Sequence, residues 1–186
     1  MSVLKIYNEN GDGPLETFTE FAGISQKLHE IGVTFERWDA SYVLTDQSTQ
    51  EEIFEAYKES IDSLKKEYGF QSADVVSLTP DHPEKKAFRE KFLSEHTHSD
   101  FEVRFFVDGS GLFYIHQGDQ VYTILCTKGD LISVPAHAKH WFDMGEDPFF
   151  KCIRLFTTEE GWVANFTGSE IAKSHPDFQS FLSLLA

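Results

Sequence analysis

The chain has 186 residues, enough for one ordinary domain with a substantial core. Its 16 basic against 31 acidic side chains give a formal charge of −15, which repels nucleic acid and anionic membrane surfaces. The opening "MSVLKIYNENGDG" has no basic stretch followed by an apolar run, and no apolar run elsewhere is long enough to span a bilayer. A cytoplasmic monomer with no nucleic-acid or membrane partner is therefore expected.

Taken in chain order, "VLKIY" reads as a short strand. Phe21, Ile24, Leu28 and Ile31 recur at helical spacing, and Gly32 is placed to end that helix. "VTFERW" alternates like a strand. Ser48 followed by Glu51 reads as a capping box, opening a helix whose apolar stripe is Ile53, Phe54, Tyr57, Ile61 and Leu64 and which Gly69 closes. A third helix is expected to start at Pro83 and run through "EKKAFREKF".

Near residue 94 the character changes. "FEVRFFV", "GLFYIH", "QVYTILCT", "DLISVP", "HWFDM" and "FFKCIRLF" are short aromatic and β-branched segments, punctuated by Gly109, Gly111, Gly118, Gly129 and Gly145. Short strands at regular spacing with glycine turns predict an antiparallel sandwich or barrel. The expected organisation is a single domain, 1–186. In it 1–93 is a mixed helical and strand part packed outside, 94–168 a β-barrel core, and 169–186 a C-terminal tail. Cys126 and Cys152, the two cysteines, fall inside strand-like segments and are expected as buried free thiols.

Inside this β-rich part, "SEHTHSDFEVRFFVDGSG" is unusual. Side chains alternate across a strand, so His96, His98, Glu102 and Arg104, all even-numbered, would share one face if the segment is extended. Two imidazoles and a carboxylate on one buried face need a common partner, and a cation is the simplest. About forty residues on, "GDLISVPAHAKHWFDMG" runs from a glycine turn into a strand broken by Pro135, and His140 opens the next strand. His140 is the expected fourth donor. His137 competes for that place but falls in the loop after the proline. Three imidazoles and one carboxylate suit Fe²⁺, Ni²⁺ or Mn²⁺ better than a thiolate-preferring metal, with a closed tetrahedral zinc site as the structural alternative. Arg104, always charged, could stabilise an anionic substrate or simply pair with a barrel carboxylate. By parity Phe106 and Phe142 would face the interior, and Trp162 is a further candidate wall. His29, His82, His116 and His175 are scattered and are expected at the surface.

The spacing His96-x-His98-x3-Glu102-x6-Gly109, then Gly129-x5-Pro135-x4-His140, resembles the paired motifs of the cupin superfamily, and so implies a double-stranded β-helix (jelly-roll) barrel. The chain departs from that pattern at His137, where cupins have a second glycine, and at Met144, where they often have asparagine. "FLSEHTHSDFEVRFFVDGSG", "GDLISVPAHAKHWFDMG" and "IRLFTTEEGWVANFTG" together resemble the bacterial acireductone dioxygenase family of methionine salvage, most strongly over residues 88–168. That resemblance implies His96, His98, Glu102 and His140 as metal ligands, and Arg104 as the promoter of the substrate dianion. It also implies roles for Glu95 in metal loading and for Phe101 in conformational coupling. Read without it, these two are an exposed glutamate and a core phenylalanine. The implied reaction consumes an acireductone and O₂. With Fe²⁺ it gives formate and 4-methylthio-2-oxobutanoate; with Ni²⁺, formate, CO and 3-methylthiopropanoate.

The rival expectations are another metal-dependent cupin enzyme, such as a manganese enzyme acting on oxalate, and a non-enzymatic, metal-stabilised cupin. No Gly-x-Ser-x-Gly, Walker or dinucleotide fingerprint competes, and nothing offers a DNA-reading module.

Overall fold

The computed structural model describes residues 1–45, 47–158 and 162–185. Its sheets are antiparallel and are built around one long strand. β1 (Val3–Asn8), β2 (Glu16–Phe18), β3 (Thr34–Arg37), β4 (Ser72–Leu78) and β5 (His96–Thr97) precede that strand, β6 (Glu102–Gln117). β7 (Gln120–Thr127), β8 (Asp130–Val134), β9 (Lys139–Asp143), β10 (Phe150–Phe156) and β11 (Asn165–Phe166) follow it. One row runs β11-β5-β9-β6-β7-β1-β2 and the other β4-β10-β6-β8-β3, so β6 belongs to both.

Gly109 is why β6 can do this. "FEVRFFV" and "GLFYIH" were expected as two strands with glycine turns between them, but they form one 16-residue strand. Gly109 lies at φ +72 opposite Phe150, two residues beyond a bulge at Val107, which the pairing with β10 skips between Lys151/Asp108 and Cys152/Phe106. A Cβ on Gly109 would fall 2.0 Å from the Phe149 carbonyl oxygen, so no other residue fits. Up to Gly109 β6 pairs with β8 and β10; from Ser110 on, with β7 and β9.

The rows pack on each other through one apolar cluster that includes Leu4, Phe106, Phe113, Ile124, Ile132 and Cys152. Cys126 and Cys152 are both buried and free, as expected. Burial pushes both thiols up, Cys152 to about 12. The architecture is mainly β with accessory helices, of the cupin jelly-roll type, and its hydrogen-bonded rows do not close on themselves.

The helices follow the apolar periodicity with local corrections. α1 (Phe21–His29) buries Ile24 and Leu28, and Gly32 at φ +79 turns the chain after it. The second expected helix is two: α2 (Gln50–Ala56) and α3 (Lys58–Tyr68) meet at Tyr57, whose backbone (φ −108, ψ 17) leaves the helical region. The capping box is one residue later than expected. The Thr49 side chain accepts from the Glu52 N–H, and Glu52 Oε2 accepts from the Thr49 N–H. Gly69, left-handed at φ +74, ends α3 as expected. α4 (Lys85–Phe92) starts two residues beyond Pro83, and α5 (Phe178–Ser183) docks Phe178 and Phe181 near the C-terminus. Among the described residues, no helix is long and apolar enough to cross a membrane.

Candidate metal centre

Four elements bring the expected donors together. β5 carries His96, β6 opens on Glu102, and β9 carries His140; His98 sits in the turn between β5 and β6. His96 pairs directly with His140 across β5 and β9. The segment is not extended throughout: residues 98–101 are a loop, and β6 begins at Glu102. His98 reaches the same side because that loop folds back, its carbonyl accepting the His137 N–H at 2.8 Å. His137 thus takes no part as a donor. It occupies the left-handed region, φ +67, where the cupin pattern has glycine.

One ligand-type atom from each of His96, His98, Glu102 and His140 lies within 4.8 Å of the others, and all four residues are buried. The ring nitrogens show what such a cluster needs. Each Nδ1–H donates to a main-chain carbonyl: His96 to Ser94 at 2.7 Å, His98 to Val163 at 3.1 Å, His140 to Ala138 at 2.8 Å. A carbonyl cannot donate, so each Nδ1 carries a hydrogen, and in the neutral ring each Nε2 turns its lone pair inward. Two of those lone pairs, on His98 and His140, face Glu102 Oε2 at 2.9 Å. Acceptors converging on a carboxylate repel unless a cation lies among them. Carbonyl-oriented imidazoles with one carboxylate are a donor set that fits a divalent first-row metal.

The electrostatics separate the rings. Burial, then the neighbouring His140, pulls His96 down to about 4 and keeps it neutral. Burial also pulls on His98, but contact with Glu102 outweighs it and the net direction is up. For Glu102, burial would raise the pKa; Arg104 and the two histidines overcome that and hold the carboxyl well below its usual range.

Arg104 is 3% exposed, and its Nε lies 2.9 Å from Glu102 Oε1. The contact is ionic but out of line for a hydrogen bond, so this buried N–H has no acceptor. Aromatic rings box the guanidinium, with Phe142 at 4.6 Å, Phe113 at 5.4 Å, and Phe92 and Trp162 each at 5.6 Å. A fixed cation, paired with Glu102, therefore lines the cavity in an apolar frame.

That cavity, about 760 Å³, is lined by the four donors, Arg104 and a set of aromatic side chains. Phe142 and Trp162 line it as expected; Phe106 does not, being packed in the main core. Sequence reasoning missed Phe88 and Phe92 from α4, Phe156 from β10 and Phe166 from β11. The stacked pair Phe88 and Phe92, four apart on a helix that buries no side chain fully, was the available signal.

Glu95 and Phe101 reverse their expected environments, Glu95 being 2% exposed and Phe101 45% exposed. The Phe101 carbonyl accepts the Trp162 indole N–H at 2.8 Å, and that indole stacks on His98. His29 is exposed as expected, whereas His116 is half-buried against Glu95 and His175 is buried. Residues 159–161 of the third motif lie outside the described residues.

Comparison with known proteins agrees with this geometry. The model of the ARD/ARD' family matches residues 4–164. An acireductone dioxygenase of Methylococcus capsulatus is 56% identical over 182 residues, covering 98% of each chain. One of Aquifex aeolicus is 55% identical over 183 residues, covering 98% of this chain and all of its own. The solved structure of acireductone dioxygenase from Bacillus anthracis with a cadmium ion in its active center is 32% identical. It superposes with a TM-score of 0.78, covering 89% of this chain and 98% of its own. The chain belongs to the ARD/ARD' family, the acireductone dioxygenases.

Proposed function

We propose that the chain is an acireductone dioxygenase of methionine salvage, cleaving 1,2-dihydroxy-5-(methylthio)pent-1-en-3-one with O₂. The observation that carries this is the cluster of four buried donors with the buried cation Arg104 beside it in one cavity. His96, His98, Glu102 and His140 would hold one Fe²⁺ or Ni²⁺ per chain, and the cadmium in the active center of the Bacillus anthracis relative supports a divalent ion. When bound, the metal supplies chelation of the substrate's adjacent oxygens and activation toward O₂.

The chain's own residues do the rest. Arg104, charged at any working pH, stabilises the enediolate as the substrate gives up its protons. Its aromatic frame excludes water and strengthens that attraction. Phe92, Phe142 and Trp162 offer the methylthio tail an apolar wall. The chain works as one cytoplasmic unit of residues 1–186, and the N-terminal strand β1 is part of the same row as β7.

The test is O₂-dependent loss of the acireductone's ultraviolet absorbance, using metal-free protein reloaded separately with Fe²⁺ and Ni²⁺. Decay with both, and carbon monoxide in the headspace only with Ni²⁺, is expected. Decay no faster than in the metal-free control, with metal bound, would favour another cupin chemistry.

A further inference from the structure

β11 presents a mechanical problem. It is two residues long, it pairs only through Asn165↔Thr97 and Phe166↔His96, and residues 165–167 are exposed. So short a strand cannot hold its own position. Yet the segment around it supports the metal centre from outside. The Val163 carbonyl accepts the His98 Nδ1–H, and the Phe166 ring lies 5.8 Å from the His96 ring.

What anchors it is the buried carboxylate of Glu95, which is outside the donor cluster. Glu95 Oε1 accepts the Thr167 hydroxyl at 2.7 Å, and the Glu95 carbonyl accepts the Thr167 N–H at 3.1 Å. Glu95 Oε2 accepts the His116 Nδ1–H at 2.6 Å. His116 stands on β6 beside Ile115, the residue that pairs with His140. Glu95 is thus a post tied on one side to the sheet that carries His140 and on the other to β11. A buried carboxylate that lost either partner would be left under-satisfied, so the arrangement is held from both ends.

We propose that Thr167 and His116 are positioning residues for the reaction: through Glu95 they latch β11 onto β5, and so hold the Val163 carbonyl against His98. The role in the reaction rests on the function proposed above. The latch itself is a property of the folded chain and can be read separately.

The experiment uses metal-loaded protein and three variants, Thr167→Val, Thr167→Ser and His116→Phe. Thr167 is exposed, so its replacement empties no core. Three quantities are measured: hydrogen exchange of the amides of residues 163–167, the rate at which a chelator strips the metal, and KM and kcat for the acireductone. Thr167→Val is expected to speed exchange there at least about tenfold and to weaken metal retention by about 10- to 100-fold, the usual effect of releasing a ligand's outer partner. KM should rise more than kcat falls. Thr167→Ser should restore all three, and His116→Phe should shift them in the same direction as Thr167→Val. Unchanged exchange and metal retention in Thr167→Val would overturn the latch, as would a Thr167→Ser variant that behaves like it. Unchanged exchange in His116→Phe would remove His116 from it. A wild type inactive toward acireductone would sink the proposed function instead, with exchange and metal retention still deciding the latch.

Discussion

Three imidazoles give their Nδ1 hydrogens to Ser94, Val163 and Ala138, and this small set of main-chain contacts decides what the centre can do. It converts the histidines from interchangeable polar residues into donors of fixed direction. Removing one should therefore be costly: His98→Ala is expected to lose bound metal and turnover together, measured as metal content and acireductone decay on the same sample. A variant that keeps full occupancy would take His98 out of the ligand set. Arg104→Ala should behave differently, because its guanidinium touches Glu102 but contributes no ligand atom. Metal content should hold while kcat/KM falls by about 10²- to 10³-fold, the range seen when one preorganised charge-stabilising donor is removed. Unchanged turnover would reduce Arg104 to a structural counter-charge for Glu102.

Parity makes three of the donors legible at the scale of elements, although the segment that carries them is not one extended strand. His96 and Glu102 lie on separate strands, and the loop at 98–101 restores His98 to the same side by folding back. Spacing survives such a loop; strand continuity does not. Gly109 reads as a turn in the sequence for a similar reason, since a left-handed glycine serves a hairpin and a bend inside a strand equally, and only the neighbouring Phe149 carbonyl distinguishes them. The capping box slipped by one residue because Ser48/Glu51 and Thr49/Glu52 share the same spacing, and contact alone selects between them. Gly111, further along β6, has a role that sequence could not show. A Cβ there would sit 2.3 Å from the Phe142 ring, so the glycine makes room for a cavity wall. Gly111→Ala is expected to displace that ring, destabilise the protein by about 1–3 kcal/mol as overpacking does, and raise KM. Chemical denaturation and steady-state kinetics would show this; an unchanged KM would mean that Phe142 does not meet the substrate.

The acidic balance of the whole molecule argues against a nucleic-acid partner, but the burial of Glu95 cannot be read from it, because it depends on the segment after β11 folding back to place Thr167 on that carboxylate. Acid response belongs at this scale as well. His96 has a folded pKa of about 4, below its ordinary 6.5, so the unfolded chain takes up that proton first as pH falls. The metal-free protein should therefore lose stability between about pH 6.5 and pH 4, by roughly 3 kcal/mol from this group. The depressed Glu102 adds to the loss as pH falls further, and the upward shift of His98 opposes it. Urea midpoints at pH 7 and pH 4.5 would check the direction, and a midpoint that rises on acidification would contradict it. If these four donors and a divalent ion make the chain a dioxygenase, turnover must follow occupancy. Metal-free protein would be titrated with Fe²⁺ under anaerobic conditions, then mixed with acireductone and O₂ at each step. Decay rising in proportion to bound iron and levelling at one ion per chain is the expected result. Full occupancy without decay above the metal-free control would contradict it.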